Sequence, residues 1–157
     1  MKRLFFSALI LCVLGIGAVQ AQNLNKGSGL LSLGTGFFNG FSVNASYDFG
    51  LIDEWGPGIF TVGGFVGYVE HNLNHTYKGK NFALTPRATY RYAVDEFWEV
   101  YGTFMWGLLV GDYNSIFMAS TIGARFNITK NFSLFAEMGP TYNNNYTLFM
   151  LGINLTL

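Results

Sequence analysis

From Gly29 onward the chain alternates apolar residues with small or polar ones, a period of two that sends successive side chains to opposite faces of a strand. Residues 82–92 show it best: Phe82, Leu84, Pro86, Ala88, Tyr90 and Tyr92 share one face, and Thr85, Arg87, Thr89 and Arg91 the other. The same pattern predicts strands near 29–37, 41–49, 98–110, 116–127, 133–139 and 149–157, and in a form blurred by Gly63, Gly64 and Gly67 near 59–69. Segments of about 10 residues with this alternation, separated by turn residues, mark a membrane barrel weakly when single and strongly in series. The prediction is an all-β fold: an eight-stranded antiparallel up-and-down transmembrane β-barrel, preceded by a cleaved signal peptide.

The N-terminus supplies the export signal. Lys2 and Arg3 form a basic start, residues 4–18 an apolar stretch, and Val19-Gln20-Ala21 a small-residue approach to a cut before Gln22. The apolar run is short of the ~20 residues a spanning helix needs. Residues 1–21 thus read as signal peptide and residues 22–157 as one barrel domain. Cys12 is the only cysteine and lies within the apolar run. Residues 22–157 therefore contain no thiol for disulfides, catalysis or metal binding.

Composition narrows the surroundings. The chain is 50% hydrophobic and 18% aromatic but only 11% charged, against about a quarter charged in soluble domains. No later apolar run is long enough for a helical span, so closed strands are left to satisfy the backbone in lipid. Removing Lys2 and Arg3 takes the formal charge from 0 to −2, which gives no footprint for nucleic acid. A soluble eight-stranded cup would need to fit Phe, Tyr, Trp and Leu from nearly every apolar position inside, more than so narrow an interior holds. The apolar face must look outward into lipid, and the Gly, Ser, Thr and charged face inward. Tyr90, Tyr92, Trp98 and Phe126, at strand ends on the apolar face, are the candidate aromatic girdle.

The stretch Arg87-Ala88-Thr89-Tyr90-Arg91-Tyr92 and the hairpin running from Ala124 to Gly139 resemble hairpins of small outer-membrane β-barrel proteins of Gram-negative bacteria, of the eight-stranded OmpA/OmpX kind and Bacteroidota type. The resemblance implies residence in the cell outer membrane, among lipid and lipopolysaccharide. It also implies insertion by the outer-membrane assembly machinery, which reads the C-terminal strand. Members usually end on an aromatic residue, whereas Gly152-Ile153-Asn154-Leu155-Thr156-Leu157 keeps the alternation and ends on Leu157. The resemblance carries no catalytic residue and no cofactor.

Inward parity collects Asp48, Arg87, Arg91, Glu99, Arg125 and Glu137, three charges of each sign. An isolated charge in a narrow lumen is costly, so these are expected to pair as a network that plugs the barrel. A turn centred on Asp95 sets Arg91 directly across from Glu99, and Arg125 and Glu137, on adjoining strands, are within diagonal reach of each other. The rival reading is a charged channel lining, but open porins use roughly 16–18 strands.

An even strand number puts both termini on the periplasmic side. Of the outward loops only residues 70–80 are long. That loop holds His71, His75, Lys78 and Lys80. The two histidines suit solvated positions better than a metal site, because Asn72, Asn74 and Gly79 oppose the helix that would align them. The lysines either touch lipopolysaccharide phosphates or keep the loop soluble. A lipid A-modifying enzyme would need a nucleophile beside a histidine base, and the spacing of His71, His75, Asp112 and Ser115 is not specific for one. The expectation is a monomeric, non-enzymatic barrel with a structural, envelope or surface-interaction role. The alternative is a small-solute pore or hydrophobic-ligand conduit.

Overall fold

The computed structural model describes residues 24–37, 40–52, 56–74, 77–112, 114–142 and 147–157, with the side chains of 71–78 excluded. The expected signal peptide and its cut, and the loop histidines and Lys78 as side chains, lie outside the described residues. Eight strands follow one another: β1 (Gly29–Phe37), β2 (Phe41–Ile52), β3 (Gly58–Asn74), β4 (Tyr77–Ala93), β5 (Trp98–Gly111), β6 (Ser115–Asn127), β7 (Phe132–Pro140) and β8 (Thr147–Thr156). Each pairs antiparallel with the next, and β8 pairs back to β1 from Leu30↔Thr156 to Phe37↔Phe149, closing the barrel. Closure satisfies the backbone without leaving a sheet edge in lipid. No helix among the described residues is long and apolar enough to cross a membrane.

Alternation sorts the side chains as the pattern predicts. Leu84, Trp106 and Ile122 are 62%, 58% and 71% exposed, while their chain neighbours Thr85, Met105 and Thr121 are buried. In water such an outer surface would be untenable; in hydrocarbon it is the favoured one.

Two expectations are corrected. Residues 70–80 are not a long loop: β3 and β4 are 17 residues each and stay paired through Glu70↔Lys80, His71↔Gly79, Asn72↔Lys78 and Asn74↔Tyr77. Outside lipid a strand needs no apolar face, so alternation stops while backbone pairing continues. The turn between β4 and β5 centres on Glu96, not Asp95, because Ala93 pairs with Glu99 and Arg91 with Tyr101. The Asp95 carboxylate accepts the backbone N–H groups of Phe97 and Trp98, both at 2.7 Å, which locks the longer turn.

The lumen is filled in two different ways. Away from the termini, Val69, Met105, Leu109, Phe117, Leu148 and Met150 belong to one buried apolar cluster. Toward the termini the inward side chains are mostly charged or polar, although Phe135 of the apolar cluster also lies there, directly opposite Arg125. Below these, Leu24 packs with Leu30 and Ile59 across the mouth. The approach is set by Gly27, whose φ of 85° suits glycine and whose N–H donates to the Gly50 carbonyl at 2.9 Å. Leu24, Ile59, Arg91 and Glu99 line a cavity of about 250 Å³ at this mouth.

Candidate functional site

Inward parity on β2, β4, β5, β6 and β7 brings all six sequence-predicted charges into the terminal half of the lumen. Their side chains are at most 4% exposed. They form a chain of alternating sign. Arg125 Nη2 lies 3.2 Å from Glu99 Oε2, and the other Glu99 oxygen accepts a hydrogen bond from Arg91 Nη1 at 3.0 Å. Arg91 Nη2 donates to Asp48 Oδ2 at 2.6 Å, and Asp48 Oδ1 lies 3.2 Å from Arg87 Nε. Arg87 Nη2 then donates to Glu137 Oε2 at 3.4 Å. Each internal member touches two opposite charges, so burial is compensated along the row.

The register explains why partners differ from simple expectation. Glu99 stands directly opposite Arg125 on β6, so that guanidinium pairs with Glu99; this corrects the expected diagonal meeting of Arg125 with Glu137. Arg91 reaches Glu99 diagonally, past Tyr101, its direct partner in register. The Arg91 guanidinium sits 4.7 Å from the centroid of the Tyr101 ring, an arrangement that adds cation–π attraction. Room for that ring comes from Gly123, where a Cβ would overlap it.

Hydroxyl groups complete the site, and sequence reading did not single them out. The Tyr101 hydroxyl donates to Glu137 Oε2 at 3.2 Å, and the Thr121 hydroxyl donates to Oε1 of the same carboxylate. Arg87 also donates from Nη1 to Ser46 Oγ at 2.9 Å and from Nη2 to Thr103 Oγ1 at 3.3 Å. The available signal was parity: Ser46, Tyr101, Thr103 and Thr121 occupy the same inward rows as the charges. The two ends of the row differ. Glu137 is capped by Arg87 and two hydroxyls, whereas Arg125 Nε and Nη1 are buried without a protein partner. Chemically the arrangement is a mutually neutralised row of ion pairs. No nucleophile–base pair lies in it, and among the described residues no group of three His, Cys, Asp or Glu side chains is placed to hold a metal.

The four candidate girdle residues stand on the outer wall near the end that bears the termini. Tyr90, Tyr92, Trp98 and Phe126 are each exposed, and Trp98 faces Phe126 across β5 and β6 with ring centroids 4.9 Å apart. Phe97 in the adjoining turn stacks on Phe126 at 6.3 Å. Further exposed aromatics, Phe37, Phe41 and Phe82, lie toward the opposite end.

No protein-family model matches the chain, and no curated protein matches it in sequence. Solved structures do. The chain is similar to a de novo designed transmembrane β-barrel, with a TM-score of 0.62 at 16% identity over 87% of this chain and 100% of that one. It is similar to the N-terminal β-barrel domain of OprF from Pseudomonas aeruginosa, with a TM-score of 0.60 at 14% identity over 84% of this chain and 98% of that one. A third likeness is to the outer membrane protein Ail of Yersinia pestis, with a TM-score of 0.58 at 14% identity over 84% and 100%. The chain has the eight-stranded transmembrane barrel fold that these outer-membrane and designed proteins share.

Proposed function

We propose that the chain is an integral outer-membrane barrel with a closed interior, serving a structural, envelope or surface-interaction role without enzymatic activity. The observation that carries this reading is the filled lumen: a buried row of paired charges in one half and a packed apolar cluster in the other. Eight-stranded barrels have interiors just wide enough for their side chains, and this one has side chains at every level. The outer-membrane location rests on the structural neighbours together with the exposed apolar wall and its aromatic girdle. Export follows from the N-terminal segment cut near Ala21/Gln22. Lipid and lipopolysaccharide surround the monomeric barrel, and the assembly machinery reads β8.

Within this reading the β3–β4 hairpin favours contact at the cell surface. Its ladder runs five positions beyond Val69 on β3, where β2 has already ended its pairing. The pore reading lacks such support, since both halves of the lumen are occupied. The test is liposome swelling with small sugars, using refolded mature chain whose folding is checked by a heat-dependent gel shift. Swelling no faster than in empty vesicles supports the closed barrel; rapid swelling by folded protein contradicts it.

A further inference from the structure

Leu24 precedes the first strand, where a trailing terminus would leave it in water, yet it is only 4% exposed, against Leu30 and Ile59. A turn brings it there. The Ser28 N–H donates to the Asn25 carbonyl at 3.0 Å, and the Asn25 N–H donates to Ser28 Oγ at 3.2 Å. Gly27, third in this turn, carries the positive φ that glycine accepts without strain. Residues 24–28 therefore double back over the mouth of the lumen instead of prolonging β1. The turn rests on Gly50 of β2, where a Cβ would overlap the Asn25 carbonyl.

Beneath this strap lies one end of the charge row. Leu24 and Asn25 line the mouth cavity together with Arg91 and Glu99, and with the strap in place those two charged side chains are each 2% exposed. Water admitted there would weaken the attraction between them, because a higher local dielectric screens it.

The barrel itself does not need the strap, since its closure is complete one residue further on. The Gly29 N–H donates to the Leu157 carbonyl at 3.2 Å, the Leu157 N–H donates to the Gly29 carbonyl at 2.8 Å, and Gly29 pairs with Phe49 on its other side. The strap is held more lightly. The Gly27 N–H donates to the Gly50 carbonyl at 2.9 Å, and Leu24 adds its apolar contact with Leu30 and Ile59.

We propose that residues 24–28 are a hinged lid on the charged half of the lumen. Closed, the lid keeps water from the Arg91–Glu99 end of the row. Lifted about Gly27 and Ser28, it opens that end while the eight-stranded ladder stays intact. Segments with few buried contacts are those that open at low cost while the rest of a fold holds. The inference is independent of whether the other half of the lumen conducts, because the lid acts only at the end that bears the termini.

The test places a thiol beneath the lid. Residues 22–157 contain no cysteine, and Leu30, 1% exposed, faces Asp48 in register, so Leu30→Cys puts a single probe beside the row. Refolded mature chain in mild detergent is treated with a negatively charged maleimide, whose rate of labelling follows access to the thiol. Labelling is expected to be slow with the lid intact and at least tenfold faster when Leu24→Ser or Gly50→Ala is added. Ala119→Cys, in the apolar half, is expected to stay slow in all three backgrounds, and a heat-dependent gel shift certifies the folding of each variant. A rate at Leu30→Cys that neither change alters overturns the proposal. Acceleration at Ala119→Cys as well would make the strap a general support of the barrel and overturn it equally.

Discussion

The two halves of the lumen solve one problem with opposite chemistry. Away from the termini, Met105, Phe117, Leu148 and their neighbours exclude water by shape and apolar contact. Toward the termini, Arg125, Glu99, Arg91, Asp48, Arg87 and Glu137 fill the same width with charge that is neutral only as a row. The apolar half is local: losing one side chain leaves a cavity and little else. In the charged half each residue's cost depends on its neighbours, because removing one leaves another buried and unpaired. The difference predicts which substitutions should act alone and which should couple.

The largest effect is expected at Asp48→Ala. Both Arg87 and Arg91 lose a carboxylate, so stability should fall by about 5 kcal/mol, the upper end for breaking a buried pair. Denaturant unfolding of the refolded chain in vesicles measures it; a loss under 1 kcal/mol would show that the row contributes nothing. Met105→Ala in the apolar half should cost about 3 kcal/mol, the ordinary penalty of a core cavity. Its effect should add to that of Asp48→Ala if the halves are independent, and a strong departure from additivity would break the comparison.

Next in size is a coupling. Glu99→Met strands Arg125 while Arg91 keeps Asp48, so adding Arg125→Met should restore about 1–3 kcal/mol. The same cycle run on Met105 and Leu109 should show no such rescue. The smallest change is Ser46→Ala, which removes one acceptor from Arg87 and should cost about 1 kcal/mol. A cost matching that of Asp48→Ala would mean that hydroxyls, not carboxylates, hold the guanidinium.

Some of this was legible in the sequence and some was not, for physical reasons. Alternation located the eight strands and put all six charges on the inward face, because parity is a property of each strand by itself. Partners depend on register between strands, which turns set. The Asp95 carboxylate holding the N–H groups of Phe97 and Trp98 shifted β5 relative to β4 and changed who faces Arg91. The apolar half was hidden for another reason. In Phe104-Met105-Trp106 and Ile116-Phe117-Met118 both parities are apolar, so an alternation rule sees no inward face there. The length of the β3–β4 hairpin was missed because the lipid signal ends before the strands do.

Single-channel recording across a planar bilayer tests the closed interior most directly, with refolded wild type and Asp48→Ala compared in the same membrane. Both are expected to be silent, the variant because the apolar half still seals the lumen after the charge row is broken. Stable conductance steps from folded wild type would contradict the account. Steps from the variant alone would show that the charged half is the only seal.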